Sequence, residues 1–161
     1  MDFARVLRVF HEAGARVILV GGVAGRLHGA ARLTDDIDFV YDRDDDNLRR
    51  LAEALTPFAP YLRGAPPGLP FEWGVRALRA GLNFTLQTSL GPIDLLGEIT
   101  GGGDYAALLP HSLEGTVFGV PLRVLSLERL IAVKRAAGRP KDLEAIAELE
   151  LLAEERDQQA S

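Results

Sequence analysis

The chain has 161 residues, 47% of them apolar, and carries 18 basic against 23 acidic side chains for a net charge of −5. That length suits one domain, which can bury roughly 70% of the surface its unfolded chain exposes and so needs no disulfide or structural zinc. Cysteine is absent, which excludes a disulfide scaffold, a thiol nucleophile and cysteine-ligated metal sites, and the acidic total argues against a DNA-coating protein while leaving room for a local basic groove.

In chain order, Phe3, Val6, Leu7 and Phe10 recur at helical spacing over residues 2–13, and Gly14 ends the segment. Arg16–Val20 is β-branched and apolar on both faces, as in a buried strand. It stops at Gly21-Gly22, too short to span a membrane, and the opening residues do not read as a signal peptide. A soluble, cytoplasmic protein is therefore expected. A short helix over Val23–Ala31 and a second strand over Ile37–Tyr41 follow. Asp44-Asp45-Asp46 then open a helix over Asn47–Leu55, where the helix dipole favours acids. Thr56–Pro70 holds five of the nine prolines and reads as a surface loop. Gly74–Ala80 makes one or two helical turns.

Leu82–Thr88 and Ile93–Leu96 flank Ser89-Leu90-Gly91-Pro92 as a hairpin. Gly101-Gly102-Gly103 is read as flexible and leads into a short helix over Asp104–Leu109. Thr116–Phe118 and Leu122–Leu125 flank Gly119-Val120-Pro121 as a second hairpin. Ser126 caps a helix reaching Ala137, Gly138 and Pro140 interrupt it, and Lys141–Glu155 forms a last helix. The reading is one α+β domain over residues 1–155. A mixed β-sheet of about five or six strands is flanked by helices, the C-terminal helices close it, and residues 156–161 form a frayed polar tail.

The chemistry concentrates in V-G-G-V-A-G-R-L-H-G-A-A-R-L-T-D-D-I-D-F, residues 20–39. Alternation along a strand turns Asp36 and Asp38 to one side and Ile37 and Phe39 to the other. Two carboxylates side by side repel each other, and a divalent cation with oxygen-ligand chemistry, Mg2+ or Mn2+, removes the repulsion. Asp94 lies in another short apolar strand. If that strand neighbours the first, three carboxylates converge, enough to hold two metal ions for displacement at phosphorus. Gly21 and Gly22 end a strand and begin a helix, where backbone N–H groups can hold phosphate and glycine allows close approach. No Gly-Lys-Ser/Thr follows, so this is not a Walker loop.

This combination of an apolar strand, Gly-Gly, a helix, Asp-x-Asp and a later strand with a third Asp resembles the DNA polymerase beta-type nucleotidyltransferase superfamily. With I-D-L-L and K-R-A-A-G-R-P-K-D-L it is similar to the small bacterial AbiEii-like, type IV toxin-related nucleotidyltransferases, over roughly residues 15–145. The resemblance implies the nucleotidyltransferase fold, Asp36, Asp38 and Asp94 as metal ligands, and Asp94 as a candidate base. It also implies Gly21 and Gly22 against the nucleotide phosphates. Many members have serine where this chain has Gly22.

Lys134, one of only two lysines, follows Leu127, Leu130 and Ile131 at helical spacing and so faces inward. A lysine there needs a negative partner, either a triphosphate or the Asp cluster; the alternative is a stem packed on apolar surface with its ammonium in water. The resemblance gives Lys134 the phosphates and gives Asp142 the task of orienting Lys134 or the nucleotide, although an acid at a helix start explains Asp142 almost as well. Arg32 and Thr34 immediately precede the Asp pair. Arg32 could neutralise phosphate charge or form a surface salt bridge. His28 is a candidate ribose or phosphate contact, with packing or exposure as its alternative. Asp42, Asp44, Asp46 and Glu53 mimic a calcium loop, but its glycine position is Asn47, so a solvated acidic helix start is preferred.

The function expected is metal-dependent transfer of NMP from an NTP to a hydroxyl on RNA (such as a tRNA end), protein or a small molecule, with pyrophosphate released. The family context adds an antitoxin partner. The rival readings are a non-catalytic module of the same fold within a toxin–antitoxin-type pair and a magnesium-dependent nuclease or phosphatase.

Overall fold

The computed structural model describes residues 2–30 and 35–160. Helix α1 (Phe3–Glu12) starts at Asp2, whose carboxylate accepts the Arg5 N–H at 3.1 Å, and it buries the predicted stripe Val6, Leu7 and Phe10. Strand β1 (Val17–Val20) runs directly into α2 (Gly21–Leu27), and β2 (Ile37–Tyr41) returns antiparallel to β1. Next comes α3 (Asp45–Leu55), with Asp44 as its N-cap. The resemblance to a calcium loop dissolves here. Asn47 is fully buried and clamps the backbone of Arg16 and Asp42, while the Arg16 guanidinium takes Asp42 at 2.7 Å and Asp46 at 3.0 Å.

The proline-rich segment is more than a surface loop. It forms a 3₁₀ turn at Thr56–Phe58 and a two-residue strand β3 (Tyr61–Leu62) that pairs with β4 (Asn83–Thr88). Helix α4 (Val75–Ala80) precedes the predicted hairpin of β4 and β5 (Gly91–Leu96). The triple glycine is ordered as a ribbon of β6 (Glu98–Ile99) and β7 (Gly103–Asp104), followed by α5 (Tyr105–Leu108), which Asp104 caps. The second hairpin pairs β8 (Ser112–Val117) with β9 (Val120–Leu125). Its turn is Phe118-Gly119, both at positive φ (52° and 76°), the backbone of a tight two-residue hairpin. Val120 and Pro121, expected in the turn, therefore belong to β9.

Seven strands make one sheet in the order β3-β4-β5-β2-β1-β9-β8, with β2–β5 and β1–β9 parallel and the other pairs antiparallel. Its apolar middle, including Ile18, Leu19, Phe39, Val40, Ile93 and Leu95, is fully buried. Helix α1 covers one face, where Phe10 meets Phe39 edge to face at 4.9 Å. Asp38 alternates with Phe39 and so belongs to the other face.

That second face carries α2, and beside α2 lies α6 (Leu127–Ala137), capped by Ser126 and ended by Gly138 in the left-handed conformation. Helix α7 (Pro140–Ala160) packs on α6. The tail expected to fray is helical through Ala160: its Arg, Gln and Ala residues favour helix, and Arg156 reaches back to His28 at 3.0 Å. Among the described residues, no helix is long and apolar enough to cross a membrane.

Candidate active site

The sheet register builds the site. Val20 of β1 lies opposite Asp38 of β2, Asp38 opposite Asp94 of β5, and Asp94 opposite Thr85 of β4. Residues aligned across neighbouring strands point to the same face, so Asp38 and Asp94 emerge side by side. Asp36 lies two residues before Asp38, just outside β2. One carboxylate oxygen from each of Asp36, Asp38 and Asp94 lies within 4.8 Å of the others. The pairing of β2 with β5 thus meets the condition on which the convergence depended.

The electrostatics are unfavourable for Asp38 as a charged carboxylate. Asp38 Oδ1 is buried with no hydrogen-bond partner. Burial, then the charge of Asp36, then the hydrogen bond and charge of Asp94 push the Asp38 carboxyl up to about 8, while Lys134 pulls it down. A buried acceptor without a donor, in a cluster of hard oxygen ligands, suits a divalent cation.

Gly21 is held against this cluster by geometry. It begins α2 at φ +70°, and a Cβ built on it would lie 2.0 Å from Asp38 Oδ2. Only glycine lets the strand turn into the helix beside the carboxylate. Gly22 follows in the first turn of α2 and lines the same cavity as the three acids.

Lys134, Arg139 and Lys141 line the cleft. Lys134 Nζ lies 3.8 Å from Asp142 Oδ1, and its side chain is 26% exposed. Asp142 is buried and accepts from Arg139 three times, from the backbone N at 3.1 Å, from Nε at 2.7 Å and from Nη2 at 3.2 Å. The backbone bond is a capping-box contact: the third residue of α7 satisfies the N–H of the residue that caps it. Bonds from Arg139 hold Asp142 below the usual carboxylate range. Asp142 thus ties the start of α7 to Lys134 on α6.

The cleft has two lobes. One, of about 520 Å³, contains Gly22, Asp36, Asp94 and Lys141. The other, of about 480 Å³, has apolar walls at Ile99, Leu130 and Val133 with Asn83 and Thr100 beside them. Gly21, Asp38, Lys134, Arg139 and Asp142, with Leu96 and Leu130, belong to both lobes. Volumes of this size are typical of small-ligand sites. A larger groove of about 690 Å³ lies elsewhere, under α1, and its Arg16 and Arg123 are engaged by acids.

His28 stands apart from this cleft. Its Nε2 is 2.9 Å from Leu125 O and its Nδ1 is 3.0 Å from Arg156 Nη2, so it joins the end of α2, β9 and the tail of α7. Of the two readings of His28, these contacts are those of the packed one. His28→Ala is expected to lower the melting temperature by about 2–4 °C, the equivalent of one hydrogen bond of about 1 kcal/mol. Nucleotide affinity should be unchanged; thermal melts and nucleotide titration check both. Arg32 and Thr34 lie outside the described residues.

Two residues escaped the sequence reading. Arg139 could have been found, because Arg-Pro-Lys-Asp carries the helix-start spacing of acid and cap. Arg63 could not. It follows β3 in the proline-rich segment, and its Nη2 meets Asp94 Oδ1 at 2.5 Å and Leu86 O at 2.8 Å. Nothing local to Leu62-Arg63-Gly64 signals a partner thirty-one residues away.

A mixed sheet thus gathers two carboxylates from neighbouring strands, and a third from just before β2, beside a glycine-led helix. Residues 5–143 match the family model described as "Nucleotidyl transferase AbiEii toxin, Type IV TA system". The chain belongs to this family of nucleotidyltransferases. No curated protein matches the sequence. Among solved structures, the chain is similar to ANT(2'')-Ia in complex with adenylyl-2''-tobramycin, with 16% identity, a TM-score of 0.55 and complete coverage of both chains. It is similar also to the solution structure of the antibiotic-resistance factor ANT(2'')-Ia, with 18% identity, a TM-score of 0.53, and 99% of this chain and 95% of that one covered. An antigenic nucleotidyltransferase-like protein from Paracoccidioides brasiliensis matches at 17% identity and a TM-score of 0.53, over 91% of this chain and 72% of that one. At these identities the structural likeness concerns the fold.

Proposed function

We propose that this nucleotidyltransferase moves a nucleoside monophosphate from an NTP to a hydroxyl acceptor and that Asp36, Asp38 and Asp94 hold Mg2+ or Mn2+ for the reaction. The observation that carries this reading is the convergence of the three carboxylates within 4.8 Å, with Asp38 Oδ1 buried and unpartnered among them. Magnesium or manganese bound there supplies positive charge at the phosphate oxygens and makes the acceptor hydroxyl easier to deprotonate.

The chain's own groups do the positioning. The first turn of α2, at Gly21 and Gly22, presents backbone N–H groups to phosphate. Lys134, steadied by Asp142, neutralises triphosphate charge. The acceptor oxygen forms a bond to the α-phosphorus, the bond from that phosphorus to the bridging oxygen breaks, and pyrophosphate leaves. The acceptor's proton passes to a base, and Asp94 is the candidate. Arg63 takes only Oδ1 of Asp94, which leaves the second oxygen outside that ion pair.

The acceptor hydroxyl belongs to RNA, protein or a small molecule. A small-molecule acceptor has a parallel in the fold, since ANT(2'')-Ia was solved in complex with adenylyl-2''-tobramycin. An antitoxin partner follows from the family description, and the cytoplasm is the proposed location, where nucleoside triphosphates are found.

The test is incubation with each labelled NTP, Mg2+ and cell extract, followed by identification of the labelled product and of pyrophosphate. Pyrophosphate with a labelled acceptor is expected. Orthophosphate or cut nucleic acid would instead point to a phosphatase or nuclease, and nucleotide binding without any product to a non-catalytic module. Lys134→Ala is expected to reduce kcat/KM for the NTP by about 10- to 100-fold, the loss of one charge-assisted contact. Steady-state kinetics over an NTP series checks it.

A further inference from the structure

Arg63 pairs directly with one member of the carboxylate cluster, Asp94, and its setting is unusual. Its backbone N–H donates to Thr85 O at 2.9 Å, so the residue is anchored beside β4. Both of its side-chain hydrogen bonds leave from one nitrogen, Nη2, to Asp94 Oδ1 and Leu86 O. Its Nε is buried with no partner. The ion pair is shielded, with side chains 31% and 15% exposed for Arg63 and Asp94.

We propose that Arg63 is a built-in counter-ion that sets the metal affinity of the Asp36/Asp38/Asp94 cluster by occupying one oxygen of Asp94 and repelling divalent cations. This rests on the reading of that cluster as the metal site. Three carboxylates within 4.8 Å repel one another strongly, and one guanidinium at Asp94 offsets part of that repulsion when no cation is bound. The same charge opposes a divalent cation as it enters. A fork held through a single nitrogen, with Nε–H unanswered, is free to pivot about its bond to Leu86 O when Asp94 turns to a metal ion. Arg63 is thus a positioning residue that acts through Asp94, delivered by the proline-rich segment.

A purely structural arginine makes the opposite prediction. Losing it would loosen Asp94 and weaken metal binding, whereas losing a competing cation tightens it. Mn2+ titration of chelator-treated protein, followed by electron paramagnetic resonance of the free ion, separates the two. Arg63→Met is expected to bind Mn2+ about tenfold more tightly than wild type and to melt at a lower temperature in chelator. Arg63→Lys keeps the charge and is expected to stay within about threefold of wild type. Arg63→Gln, which retains a donor for Leu86 O, decides the matter if circular dichroism shows Arg63→Met unfolded.

Unchanged or weaker Mn2+ binding in the neutral variants overturns the counter-ion role alone, provided Asp38→Asn still weakens wild-type binding. If Asp38→Asn has no effect on Mn2+ binding, the metal reading of the cluster falls as well.

Discussion

Asp38→Asn is expected to abolish transfer, by at least a thousandfold or about 4 kcal/mol of transition-state stabilisation, and yet to raise the stability of the metal-free protein. Asp38 contributes the central carboxylate, aligned with Asp94 across the sheet and two residues from Asp36. Without metal its charge has no adequate answer, which is why its carboxyl is pushed up to about 8 from an ordinary value of 3.8.

The sign follows from linkage. Between those two values the folded chain keeps a proton that the unfolded chain has lost, so stability falls as pH rises through this window, by at most about 1.4 kcal/mol per pH unit. This is the reverse of a carboxylate in a salt bridge, such as Asp142, whose lowered pKa gives stability that is lost as pH falls. Asparagine removes the titration. In chelator, the melting temperature of Asp38→Asn should exceed that of wild type by a margin that widens from pH 5 to pH 8. Mn2+ should raise the wild-type melting temperature more at pH 8 than at pH 5, because it displaces a proton at the lower pH, and should leave the variant nearly unmoved. Parallel pH profiles for the two proteins would rule out the buried-charge account.

Gly21→Ala should be nearly as damaging to activity although it removes no functional group. The added methyl would lie 2.0 Å from Asp38 Oδ2 and 2.9 Å from Asp38 Cγ, at a backbone φ of +70°. Both the carboxylate and the turn must move. The left-handed conformation alone costs about 1–2 kcal/mol for a residue with a side chain. Turnover is expected to fall by about 100-fold or more, because displacement of a positioned group by about 1 Å costs that much, and the melting temperature in chelator should also fall. Activity within a few-fold of wild type would mean that the close approach of Gly21 to Asp38 is not needed.

The legibility of this site in the sequence varied residue by residue. Asp36, Asp38, Gly21 and Gly22 were readable because they fall within one short stretch, where strand alternation and a strand-to-helix break are local properties. Lys134 was readable from helical spacing, since Leu127, Leu130 and Ile131 set the face on which it lies. His28 keeps two readings in the sequence, a nucleotide contact or a packed histidine: the end of α2 turns its ring toward β9 and α7, and sequence distance carries no information about that turn. Asp142 had two readings, and it serves both as a helix-start acid and as the partner of Lys134.

The strands carry the same lesson. The hairpin of β4 and β5 was legible because its turn residues are local, whereas β3 has no periodicity of its own and exists because β4 offers it an edge. What the amino-acid order determined by itself was therefore the set of local pieces: the α+β class, the helix faces and their caps, the glycine break and two of the three acids on one side of a strand. What only the tertiary structure decided was adjacency. The parallel pairing of β2 with β5 set Asp94 beside Asp38, and the path of the proline-rich segment brought Arg63 onto Asp94. Spacing along a helix or strand follows from backbone geometry over a few residues. The pairing of distant strands is chosen by the burial and hydrogen bonding of the whole sheet, and it is this pairing that turns three scattered acids into one site.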